Sequence, residues 1–208
     1  MKKILIVLLT LAFALGLTAC VEGGDNDVDA KPVIYLYPEE EVQVSVTLNY
    51  KGELTSTYPA YEGGWTVTAR PDGTLTDEEG REYYCLFWEG ETDVKYDFSK
   101  GFVVKGEETE AFLEDALATL GLTDKEANEF IIYWLPRMEG NPYNLISFQN
   151  ELYTDSARLA IDPVPDSVLR VFMAWKGLTK PVDVEEQILE PFERTGFTVV
   201  EWGGCEVN

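Results

Sequence analysis

The chain contains no histidine, and this absence removes more chemistry than any motif in it supplies. Without an imidazole, Ser-His-Asp and Cys-His hydrolysis are excluded, and zinc hydrolysis loses its usual ligand. No serine is followed three positions later by lysine, so the local signature of Ser-Lys catalysis is missing too. Basic residues are scarce: 16 Lys and Arg face 38 Asp and Glu, a formal charge of −22. Such a surface repels nucleic acid and anionic lipid headgroups. No phosphate-cradling motif is present. Asp25-Asn26-Asp27-Val28-Asp29 opens like a calcium loop, but Ala30 stands where the turn glycine belongs and Leu36 where the closing carboxylate belongs. No metal and no cofactor is expected. Apolar runs long enough to cross a bilayer are missing as well, because the stretch from Ile4 to Leu15 is too short for a core of ~30 Å.

That short run has a different meaning. Met1-Lys2-Lys3, the apolar stretch and Leu17-Thr18-Ala19-Cys20 together read as a bacterial lipoprotein export signal, with Cys20 as the acylated residue. Cleavage before Cys20 removes two lysines and no acid, so lipid rather than charge must attach the mature chain to the membrane. The expected organisation is a signal peptide over 1–19, a lipidated cysteine and flexible acidic tether over 20–30, and one extracytoplasmic domain over 31–208 in the cell envelope. The tether is inferred from Gly23-Gly24, four acids and no apolar periodicity.

From Lys31 the texture is β. Val33 to Tyr37 precedes Pro38; Val42, Val44, Val46 and Leu48 alternate with polar residues, as do Trp65, Val67 and Ala69. Tyr83 to Trp88 suits an interior strand, and Gly101 to Val104 another. Two helices follow. Phe112, Leu113, Ala116, Leu117 and Leu120 form one stripe ended by Gly121. Thr123-Asp124-Lys125-Glu126 is a capping box for a second helix through Trp134 to Met138. The chain returns to β at Tyr143 to Phe148, Ala157 to Ile161, Val168 to Trp175 and Phe197 to Trp202, the last ending at Gly203-Gly204. The expected class is α+β: antiparallel sheet with a central pair of helices packed on it.

Four stretches, Lys31 to Pro38, Phe130 to Pro136, Arg170 to Trp175 and Phe197 to Gly204, together resemble a family of uncharacterised secreted or lipid-anchored bacterial proteins. The resemblance implies export. No activity, cofactor or catalytic residue is carried over from it.

Candidate site residues come from position and type. Arg170 shares a strand face with Val168, Phe172 and Ala174, and Glu201 one with Phe197 and Val199, so a buried Arg170 to Glu201 pair is expected ahead of a ligand clamp. Trp88-Glu89, Trp134, Trp175 and Trp202 lie near expected element ends, where aromatics beside carboxylates build sugar-binding surfaces, although at least half of these tryptophans are expected in the core. Glu139, Asn141 and Tyr143 occupy the most ligand-like turn, or a simple helix exit. Cys85 and Cys205 are candidates for a disulfide, or are two unrelated thiols. The expected function is a lipid-anchored surface module binding an extracellular glycan or peptide; a carboxylate hydrolase such as a glycosidase and a structural envelope component are the alternatives. On this reading Cys20→Ser shifts the protein from the washed membrane fraction to the soluble one and lowers its mass by the acyl groups. Fractionation with mass spectrometry checks this.

Overall fold

The computed structural model describes residues 27–207, so the export signal, Cys20 and the first part of the tether lie outside the described residues. Strand makes up 46% and helix 20%, so the fold is richer in β than the expected α+β arrangement of an antiparallel sheet with a central helix pair.

In chain order the strands begin with β1 (Asp27–Tyr37), β2 (Val42–Tyr50), β3 (Glu53–Tyr58) and β4 (Trp65–Ala69). The two-residue strands β5 (Leu75–Thr76) and β6 (Glu82–Tyr83) precede β7 (Leu86–Thr92) and β8 (Lys100–Lys105). Helices α1 (Thr109–Leu120) and α2 (Asp124–Met138) follow, then β9 (Tyr143–Phe148), α3 (Asn150–Ser156), β10 (Ala157–Asp162), β11 (Ser167–Leu178), β12 (Glu185–Glu186) and β13 (Thr198–Glu206). Eight strands form one sheet, in the order β12-β8-β9-β11-β13-β1-β7-β3. It is mixed, because β11 pairs with β13 and β12 with β8 in parallel. The other five, β10-β2-β4-β5-β6, form an antiparallel sheet.

Two apolar clusters make the molecule three layers deep. On one face of the large sheet Val33, Tyr35, Val171, Met173, Val200 and Trp202 pack with Leu113, Leu117, Phe130 and Trp134 of the helices. On the other, Ile34, Leu36, Phe172, Ala174 and Val199 pack with Val44, Val46 and Val67 of the small sheet. Strands β1, β11 and β13 are thus covered on both faces, which explains their near-continuous apolar sequences. The helix pair forms where its pattern indicates. Gly121 ends α1 at φ 94°, a left-handed position that favours glycine, and Thr123 with Glu126 closes the capping box.

Three expectations are corrected. Residues 27–30 are not tether: they extend β1, with Asp27 opposite Thr92 and Ala30 opposite Gly204. The alternation signal fails there because a bulge intervenes. Between the Ala30–Gly204 and Val33–Trp202 pairs, β1 has two residues against one in β13. The extra residue reverses side-chain parity, so Asp29 turns into the core between the sheets. Its carboxylate is buried and accepts the hydroxyl protons of Tyr50, at 2.9 Å, and Tyr96. Second, Cys85 and Cys205 do not pair, since Cys85 packs in the helix-side core and Cys205 in the core between the sheets. Third, the last strand runs through Gly203-Gly204 to Glu206. These glycines allow close approach. A Cβ on Gly203 would lie 3.0 Å from the Pro32 ring, and one on Gly204 would lie 2.7 Å from both the Trp134 ring and the Met173 carbonyl. Gly204→Ala therefore destabilises the fold by about 1–3 kcal/mol, read as a lower urea midpoint, because neither the ring nor the backbone can retreat.

Candidate binding cleft

The tryptophans weighed as sugar contacts, at least half of them expected in the core, all lie there. Trp88, Trp134, Trp175 and Trp202 are all fully buried. The physical reason is that the elements do not end where the tryptophans stand: β7 continues to Thr92 and β13 to Glu206, while Trp134 lies on the inward stripe of α2 beside Phe130 and Trp175. At the helix exit, Glu139 is exposed, Tyr143 is half-buried, and the Asn141 amide donates to Asn144 Oδ1 at 2.8 Å. Gly106 packs on the carbonyls of Glu139 and Asn141. Among the described residues no hydrogen bond joins this turn to Arg170, Glu201 or Trp88.

Arg170 and Glu201 do come together, with Trp88. They face each other directly in the parallel register, their side chains 9% and 0% exposed. Arg170 Nε donates to Glu201 Oε2 at 2.6 Å, Nη2 lies 2.5 Å from the same oxygen, and Trp88 Nε1 donates to Oε1 at 3.1 Å. The guanidinium also covers the Tyr153 ring at 4.7 Å. Burial alone would lower the Arg170 pKa, but the Glu201 carboxylate outweighs it and raises the net value. Both oxygens of Glu201 are engaged, so the arrangement is an internal pair with no oxygen left for a substrate.

A second buried carboxylate, Glu126, is held by Arg194 through Nη1 at 3.1 Å and Nη2 at 2.5 Å, by the Tyr37 hydroxyl at 2.9 Å and by the Thr123 N–H at 2.8 Å. Burial pushes its pKa up, but Arg194 and the other donors more than offset this and hold it below the ordinary value of 4.5. Arg194 also donates to the Gly121 carbonyl at 2.8 Å, tying the segment before β13 to the helix turn.

The surface feature with ligand-like chemistry lies beside the β1 bulge. Tyr58, at the end of β3, Arg81, Glu82, Tyr83, Tyr84, Phe87 and Lys31 line a cleft of about 400 Å3 over the buried Cys85 thiol, with the Glu82 carboxylate paired to Arg70. Tyr58 and Tyr84 are 50% and 51% exposed. Cations sit over the rings: Arg81 over Tyr58 at 5.7 Å, Lys125 over Tyr84 at 5.7 Å, and Lys31 over Phe87 at 5.3 Å. Lys31 has φ 61°, a strained conformation for a residue with a side chain, and its backbone N–H donates to Glu89 Oε1 at 3.1 Å. Burial pushes the Cys85 thiol up to about 12, so it is a wall and not a nucleophile. Of the sequence candidates Cys85 lines this cleft, and Glu89 reaches it only through its hydrogen bond from the Lys31 N–H. The available signal was the run Arg81-Glu82-Tyr83-Tyr84, whose tyrosines have the apolar body and polar tip of residues at a wet boundary. Among the described residues no group of His, Cys, Asp and Glu gathers to hold a metal ion, and no helix is long and apolar enough to cross a membrane.

The chain is similar to the uncharacterized protein in the bglA 3′ region of Butyrivibrio fibrisolvens: 40% identical over 95 residues, which cover 43% of this chain and 98% of that protein. No protein-family model and no solved structure matches the chain.

The two buried pairs give separate predictions. Arg170→Met strands a buried carboxylate and costs about 3–5 kcal/mol, whereas Arg170→Met with Glu201→Leu costs far less, measured by urea unfolding of the cycle. For Glu126 the folded pKa is depressed, so its contribution is complete above pH 4.5 and is lost as pH falls through the lower folded value. Unfolding midpoints measured from about pH 7 down to pH 3 should fall at the acid end, and Arg194→Met should flatten that fall.

Proposed function

The chain belongs to the family of that Butyrivibrio fibrisolvens protein, and from this premise we propose that it is an extracytoplasmic ligand-binding module, held to the bacterial cell envelope by lipid on Cys20. The ligand is an extracellular glycan or peptide, bound without turnover in the cleft between Tyr58 and Phe87. One observation carries this reading: two tyrosine rings are left half in solvent around a recess, in a chain whose five tryptophans are all buried. Large apolar rings are normally spent on the core, so rings kept at a rim with cations beside them support a contact role. For the fold we read a β-rich member of the α+β class, with α1 and α2 segregated on one face of a mainly antiparallel sheet.

The hydrolase alternative is less well supported. A glycosidase needs two carboxyl groups flanking a bond in a cleft, whereas Glu201 is consumed by Arg170 and Trp88, and Glu139 stands at a helix end.

Glycan and peptide arrays probed with the purified full chain test the proposal. Tyr58→Ala and Tyr84→Ala should each weaken the strongest signal roughly two- to tenfold, the worth of one ring contact. Binding unchanged in both variants, or hydrolysis of the ligand lost in Glu89→Gln, would refute binding at this cleft without turnover.

A further inference from the structure

We infer that the ligand of this cleft is a short saccharide bearing carboxylate groups, an inference that rests on the binding reading above and names its chemical class. Two cations, Lys31 and Arg81, line the cleft, and two more, Lys125 and Arg137, rest on rings beside it, so that the four form a strip. Arg81 lies between the Tyr58 and Tyr83 rings, at 5.7 and 5.8 Å; Lys125 stands over Tyr84; Lys31 lies between Phe87 and Tyr133, at 5.3 and 5.9 Å; and Arg137 covers Tyr133 at 4.0 Å. Among the described residues none of the four has a carboxylate within ion-pair distance. Elsewhere among the described residues of this acid-rich chain Arg70, Lys100, Lys105, Arg158, Arg170 and Arg194 have one, while Lys176 rests alone over Phe98 at 4.5 Å; what sets the cleft apart is four such cations side by side.

The unpaired state is not for want of acids nearby. Glu82 is taken by Arg70 at 3.2 Å, Glu129 by the Tyr35 hydroxyl at 2.7 Å, and Glu89 by the Lys31 backbone N–H. Asp77, beside Arg81, accepts the Arg81 backbone N–H at 2.9 Å and the Tyr83 hydroxyl at 2.7 Å, and Arg137 gives one N–H to the Tyr133 carbonyl. The acids around the strip are thus held by other donors, and among the described residues none closes an ion pair with the four cations. Like charges held along one strip repel, and an anion relieves that repulsion.

The shape of the site narrows the anion. A carboxylated sugar ring offers a C–H face to an exposed tyrosine and a charged edge to the cation beside it, so one residue engages both wall types. A bare carboxylate polymer would leave Tyr58 and Tyr84 without a role. A long polyanion, or an anionic membrane, would meet the remainder of a chain with net charge −22 and be repelled beyond the strip. A short acidic saccharide, or the end of a longer one, meets only the cations.

The test is calorimetric titration of the purified full chain with galacturonate and glucuronate oligosaccharides, their carboxyl-reduced neutral counterparts, and an oligoglutamate peptide. Uronate oligomers should bind about tenfold or more tightly than the neutral forms, with affinity falling as salt rises. Arg81→Gln and Lys125→Gln, both at exposed positions, should each cut that affinity roughly fivefold, with circular dichroism unchanged. Equal binding of neutral oligomers, still weakened by Tyr58→Ala, would overturn the acidic class while leaving the cleft reading intact. Tighter binding of oligoglutamate would overturn the saccharide. No binding of any probe would overturn the inference, and unaltered array binding by Tyr58→Ala and Tyr84→Ala would remove the cleft reading beneath it.

Discussion

Glu201 places a carboxylate in the middle of a strand covered on both faces. A carboxylate there is tolerated only with a cation in register, and the parallel pairing of β11 with β13 supplies Arg170 directly opposite. A slip by one residue would turn Arg170 toward the helices and leave Glu201 alone among Trp88 and Tyr153. The ion pair thus pins the register of the two central strands. Everything on β13 beyond it then has a fixed neighbour: Trp202 meets Phe130, Gly204 receives the Trp134 ring, and Gly203 receives Pro32.

The Pro32 contact links the core to the surface. Pro32 lies in the β1 bulge, which turns Asp29 inward to the tyrosines and holds Lys31 in a left-handed conformation at the cleft. The same irregularity thus feeds a buried network on one side and a cationic rim on the other. Charge is handled oppositely in the two places. Inside, Asp29, Glu126 and Glu201 are each met by hydroxyl, indole or guanidinium donors. At the rim, cations rest on aromatic faces without a carboxylate.

Much of this was legible in local pattern. The helix stripe, the capping box at Thr123 and the glycine stop at 121 are local signals, and the helices lie where those signals point. The shared face of Arg170 and Glu201 followed from strict alternation on uninterrupted strands. What escaped depends on non-local geometry. A bulge destroys parity, so residues 27–30 looked like tether. Gly203-Gly204 looked like a stop because the ring and proline that occupy the space above them come from distant segments. The half-buried edge strand β3, with polar residues on both faces, offered no alternation to read. The core share of the tryptophans was anticipated, but that all of them lie inside follows from elements that run past the expected ends, while Tyr58 and Tyr84 were distinguishable only once β3 and β6 were seen at sheet borders.

The position of β13 has a bearing on how the molecule comes into being. Among the described residues it is the last strand in sequence, yet it lies between the first strand, β1, and β11. Until residue 206 has left the ribosome, β1 and β11 have no common neighbour, and the eight-stranded sheet exists only as two incomplete pieces with unpaired edges. β13 is therefore the strand that joins the two parts of the sheet. Without it two smaller sheets would remain, and with it the Glu201 carboxylate meets the Arg170 guanidinium across the join.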